Sequence, residues 1–81
     1  MERKQIDQKV KDFLVSEFEI DEAVIQPQAR LREDIGIDSL DFVDIIVIVD
    51  REFGFRIVPE ELKGVVTLED FCHYIDTKVN A

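Results

Sequence analysis

The sequence has a single cysteine, Cys72, which excludes an internal disulfide and any multi-cysteine zinc site. It has a single histidine, His73, with neither a second histidine nor a thiolate arrangement suited to nucleophilic catalysis. Cys72 itself falls on an apolar stripe and reads as a core residue. The three glycines, Gly36, Gly54 and Gly64, are isolated, so no glycine-rich phosphate loop is available. Asp34 to Asp44 lack the ligand spacing, the sixth-position glycine and the closing glutamate of a calcium loop. Ser16, inside a helical pattern on its polar side, has no partner for catalysis. No apolar run is long enough to span a bilayer, and Met1–Gln5 is not followed by the apolar core of a signal peptide. Together these absences lead us to expect a cytoplasmic protein without membrane insertion and without catalytic residues of its own.

What is present is acidic and periodic. The 81 residues suffice for one small domain, residues 1–81, with a thin core. Hydrophobic residues make up 46%, and their periodic placement argues against disorder. The formal net charge is −9, and residues 33–61 account for most of it, with nine acidic and two basic side chains. Such a field repels nucleic acid and steers basic partners to the middle of the chain. A solvated acidic face that maintains solubility is the plainer reading of the same charge.

Residues 3–18 are expected to form an amphipathic helix, with Ile6, Val10, Phe13, Leu14 and Phe18 on one face. Residues 19–38, with Pro27 and Gly36, read as a long ordered loop. Its Ile20, Val24, Ile25, Leu31, Ile35 and Ile37 are suited to packing on the core. Residues 39–53 are rich in β-branched side chains and could be a buried strand. Asp38 as N-cap, Asp41 and Asp44 in the first turns and Gly54 as a stop favour a helix. That helix has two apolar stripes, Phe42-Ile45-Ile46-Val49-Phe53 and Leu40-Val43-Val47. One stripe suits a core and the second either more core or a partner. Pro59-Glu60-Glu61-Leu62 suggests a short helical turn. Thr67 and Asp70 cap a last helix bearing Leu68, Phe71, Cys72, Ile75 and Val79. The expected fold is all-α, a right-handed four-helix bundle with three main helices and one short one.

The segment Asp34-Ile35-Gly36-Ile37-Asp38-Ser39-Leu40 puts a serine at the start of a helix, between carboxylates. Free N–H groups and the helix dipole at such a position favour a phosphate ester, and a first-turn side chain is reachable by another enzyme. Serine is also common at helix starts for structural reasons alone.

Gly36-Ile37-Asp38-Ser39-Leu40, with Asp41 and Asp44 after it, resembles the phosphopantetheine attachment site of the acyl carrier protein family. The likeness extends over the first helix, the loop with Leu31 and Asp34, the Pro59-Glu60 turn, and Thr67-Leu68-Glu69-Asp70 leading to Tyr74-Ile75. It implies a 4'-phosphopantetheine arm on Ser39, installed by a phosphopantetheinyl transferase from coenzyme A with magnesium, and flanked by Asp38 and Leu40. The arm's thiol would carry acyl groups for fatty acid, polyketide or related lipid synthesis. It also implies docking of synthases, reductases or transferases with basic patches on Asp38, Leu40, Asp41, Val43, Asp44, Val47 and Asp50 of a monomeric carrier. Ile45, Ile46, Val49 and Ile57 would line an acyl pocket, or else simply belong to the core. Arg51 interrupts the acidic helix, Arg56 lies just beyond its end, and Ile48 replaces a small or polar residue, departures that hint at a specialised carrier. Two other readings remain at this point. One is an aminoacyl or aryl carrier, which commonly has Gly-Gly before the residue preceding serine, unlike Ile35-Gly36-Ile37-Asp38. The other is an acidic helical adaptor with no prosthetic group.

Overall fold

The computed structural model describes residues 1–80, so the expected span of 1–81 includes one residue, Ala81, that lies outside the described residues. Three helices dominate: α1 (Arg3–Phe18), α2 (Ser39–Phe53) and α3 (Leu68–Val79). A short 3-10 turn, Pro59–Leu62, sits between α2 and α3, and no strand occurs among the described residues. The all-α architecture with three long helices and one short one is therefore as the sequence predicts.

Caps at the helix ends decide these boundaries. The Thr67 hydroxyl accepts from the Asp70 N–H at 3.1 Å, and Asp70 accepts from the N–H groups of Thr67 and Val66 at 3.1 Å. Gly54 ends α2 with φ +76°, a left-handed conformation that costs glycine least. Glu19 ends α1 in the same region, at φ 54°, without that advantage.

The core is one cluster built from all three helices and the loops. From α1 it takes Ile6, Val10, Phe13 and Leu14; from α3, Leu68, Phe71, Cys72 and Ile75. These two helices pack side by side, and Arg3 ties them by ion pairs to Glu69 and Asp76 as well as to Asp7. Cys72 is buried, and the loss of water pushes its thiol up to about 12, so it stays protonated and inert.

The long loop between α1 and α2 has more structure than its lack of period suggests. Glu22–Val24 forms a 3-10 turn capped by Asp21. Leu31–Ile35 forms one wide turn, in which the Ile35 N–H reaches back to the Arg30 carbonyl at 3.0 Å. Gly36 closes it at φ +89°. Backbone bonds from Leu31 to Val66 and from Leu68 to Ala29, each 2.9 Å, sew this loop to the start of α3. Ile25, Leu31, Ile35 and Ile37 are buried as expected and Ile20 is half-buried, but Val24 is exposed. It sits on the short turn Glu22–Val24, none of whose residues is buried.

Candidate functional site

Ser39 is the first residue of α2, held there by a reciprocal cap. One Asp38 carboxylate oxygen accepts from the N–H groups of Leu40 and Asp41, both at 3.0 Å. In return Asp41 accepts from the Asp38 N–H at 3.2 Å. The cap orients the helix entry and leaves the Ser39 side chain exposed, with no hydrogen-bond partner among the described residues. It also corrects one expectation. The N–H groups of Leu40 and Asp41 are not free for an anion at this helix end, because Asp38 already occupies both.

Along α2 the two apolar stripes separate cleanly. Ile45, Ile48 and Val49 are buried, with Phe42, Ile46 and Phe53 half-buried at the edge of the core. Leu40, Val43 and Val47 are 79%, 60% and 63% exposed, an apolar band on the outside of the molecule. Asp44 and Asp50 are exposed with this band, whereas Asp41 is partly covered and engaged in the cap. Ile48, an apparent departure in the sequence, is a packing residue at 6% exposure. Arg51 is engaged with Glu17 at 3.1 Å and Glu52 at 3.3 Å, which fastens the end of α2 to α1.

Ser39 also lines a cavity of about 470 Å³ between α2, the wide turn and the short turn. Leu31, Phe42, Ile46, Leu62 and Val65, all buried or half-buried, make its apolar wall. Arg32, Glu33 and Lys63, all exposed, edge it together with Ser39. Of the four residues expected at an acyl pocket, the structure brings only Ile46 to this cavity. Ile45, Val49 and Ile57 are core residues, 1%, 0% and 2% exposed, and are not among the residues that line this cavity. Helical periodicity marks apolar faces without saying which of them meets a gap, so Leu62 and Val65 were not visible as lining. The one usable signal was Pro59-Glu60-Glu61-Leu62, a turn whose apolar residue needed a neighbour.

The short turn is held in place by polar contacts to α3. The Tyr74 hydroxyl donates to Glu61 at 2.7 Å, and the Lys78 ammonium reaches the same carboxylate at 3.0 Å. These two bonds, Tyr74 foremost, hold the Glu61 carboxyl below its ordinary range. Phe55 meets the Tyr74 ring edge-on, with centroids 6.1 Å apart. The Asp34 carboxyl is held low by the Arg30 side chain and backbone, which stiffens the wide turn beside the cavity.

Comparison with known proteins decides the family. The sequence model described as the phosphopantetheine attachment site matches residues 8–75. This chain belongs to the phosphopantetheine-binding acyl carrier protein family. It is 35% identical over 75 residues to the acyl carrier protein of Rubrobacter xylanophilus, covering 93% of each chain. The acyl carrier protein of Thermotoga maritima is 34% identical over 77 residues, or 95% of each chain. That of Thermosynechococcus vestitus is 35% identical over 81 residues, the whole of both chains. Proteins of this family are carriers and not enzymes, they bear a covalently attached 4'-phosphopantetheine, and they work with a transferase and with synthases. The site suits such a group, since an exposed, unpartnered hydroxyl stands beside an apolar cavity.

Proposed function

We propose that this acyl carrier protein holds acyl intermediates as thioesters on a 4'-phosphopantetheine arm attached at Ser39. It serves fatty acid, polyketide or related lipid synthesis in the cytoplasm. The observation that supports this most is the Ser39 hydroxyl, exposed, free of any bond within the described residues, and bordering an apolar cavity. Ser39 would form the phosphodiester bond from its Oγ to the pantetheine phosphorus of coenzyme A. The pyrophosphate bond breaks, adenosine 3',5'-bisphosphate leaves, and the transferase takes the serine proton. When bound, the arm supplies a thiol that carries the acyl group. The chain's own residues do the rest. Asp38 and Asp41 fix the helix entry from which Ser39 projects, and the wall of Leu31, Phe42, Ile46, Leu62 and Val65 offers a cargo shelter from water.

For docking we favour the outer band of α2, where Leu40, Val43 and Val47 supply apolar contact and Asp44 and Asp50 supply charge. An exposed apolar band rimmed by carboxylates fits a partner with a basic rim around an apolar centre.

The test is intact mass after incubation with a broad-specificity phosphopantetheinyl transferase, magnesium and coenzyme A. The parent should gain one phosphopantetheine, and Ser39→Ala should gain none. An unchanged mass in the parent with several transferases, or an equal gain in the variant, would overturn the assignment.

A further inference from the structure

The cations of this chain divide into two groups. Arg3, Lys9, Lys11, Arg30, Arg51 and Lys78 each have an acidic partner within 4.0 Å. Lys4, Arg32, Arg56 and Lys63 have none among the described residues, in a molecule with 19 acidic side chains. Two of these four, Arg32 and Lys63, come from different turns of the chain and both line the cavity that Ser39 lines. Among the described residues Glu33 is the only carboxylate in that lining, so the lining is net cationic while the molecule carries −9. Unpaired cations gathered at an apolar cavity in so acidic a chain are placed to meet an anion from outside it.

Two amides of the helix end are already engaged. Asp38 occupies the N–H groups of Leu40 and Asp41, and both cap residues are themselves carboxylates. An anion carried on Ser39 is repelled at the cap and attracted across the cavity.

Building on the carrier reading of Ser39, we propose that Arg32 and Lys63 form an anion subsite for an oxyanion delivered by the Ser39 arm. Two sources share this chemistry: the phosphodiester of the arm and a free carboxylate on the acyl cargo. In either case the subsite draws the arm back over the apolar wall. With a carboxylate cargo it would also select acyl groups that end in negative charge, the apolar wall holding the chain and the two cations its end.

The experiment loads the protein in four states: unmodified, arm alone with its thiol methylated, pentanoyl and glutaryl. Pentanoyl and glutaryl have the same carbon count and differ by one terminal carboxylate. Intact mass verifies each state before thermal midpoints are compared for the parent, for Arg32→Gln with Lys63→Gln, and for Glu33→Gln. The readout is how far loading moves the midpoint, not the midpoint itself, so a general stability effect of the exposed substitutions cancels.

If the cargo carboxylate is the anion, the double variant should lower the glutaryl midpoint by about 2 to 5 °C more than the pentanoyl one. If the phosphodiester is the anion, the same loss should already appear in the methylated arm. Glu33→Gln should move the affected state the opposite way, and about 0.5 M salt should remove the effect. Equal loading shifts in the parent and the double variant for all states would overturn the subsite and leave the carrier reading intact. Failure to load Ser39 at all would remove both.

Discussion

The α1–α3 seam and the cavity beside Ser39 are built from similar residues to opposite ends. In the seam, Ile6, Val10 and Ile75 have no exposed surface and Phe71 has 2%. Arg3 closes its edge by reaching three carboxylates. Around the cavity, Phe42, Ile46, Leu62 and Val65 are only half-buried, and Arg32 and Lys63 have no acidic partner among the described residues. The seam buries its apolar surface in folding, while the cavity leaves part of its own uncovered. An acyl chain entering that gap would complete burial that the polypeptide leaves unfinished.

The contrast can be broken first where it is largest. Phe71→Ala in the seam should cost about 3–5 kcal/mol, enough to unfold much of so small a domain, whereas Phe42→Ala should cost about 1 kcal/mol. Denaturant titration of both variants checks this, and similar losses would mean that the cavity wall is as structural as the seam. The next effect compares two caps of the same design. Asp38→Ala removes a carboxylate that serves two N–H groups and should destabilise by about 1–2 kcal/mol, measured as a shift in the urea midpoint at unchanged slope. Thr67→Ala should cost about 1 kcal/mol by the same measurement, since its hydroxyl serves one N–H group.

Acid gives a smaller and graded test. The Asp70 carboxyl is held below its ordinary value, first by the Thr67 backbone N–H and then by that of Val66. A carboxyl lowered by folding stabilises fully above its unfolded value, and that contribution disappears as pH falls through its folded value. Thermal midpoints should therefore decline below about pH 4. The decline should be shallower in Asp70→Asn, which still fills the position but does not titrate.

The smallest stability effect belongs to the outer band. Val43→Ser with Val47→Ser should change folding by no more than about 0.5 kcal/mol and still weaken binding to a partner synthase. Asp44→Lys is the matching electrostatic probe. It should weaken the same binding more at low salt than at high salt, as titration calorimetry at two ionic strengths would read. Asp41→Lys is less clean, because Asp41 also accepts from the Asp38 N–H and its loss opens the cap.

Much of this was legible in the sequence. The i, i+4, i+7 spacing of Ile6, Val10 and Phe13 and of Leu68, Cys72 and Ile75 is enough to specify two helices and their inner faces. Residues 39–53 were harder, since Val and Ile favour strands. Asp38 and Gly54 tipped the balance through end effects that can be read from residue type. The exposed stripe of Leu40, Val43 and Val47 was visible as a second apolar face, though not whether core or solvent would meet it. The wide turn Leu31–Ile35 was not visible: it has no apolar period to mark it, and the bond from Leu31 to Val66 that anchors it joins residues far apart in sequence.

The sequence by itself determined the helices, the caps of α2 and α3, the acidic middle and the serine that bears the family's attachment pattern. All of these depend on interactions within a few residues, where spacing and residue type suffice. Only the tertiary structure decided which apolar residues close a core and which border a gap. It placed Ile45, Val49 and Ile57 in the core and Leu62, Val65, Arg32 and Lys63 around the cavity that Ser39 lines. Side chains from the wide turn, α2 and the short turn become neighbours only once the helices pack, and burial is a property of that packing and not of any one segment.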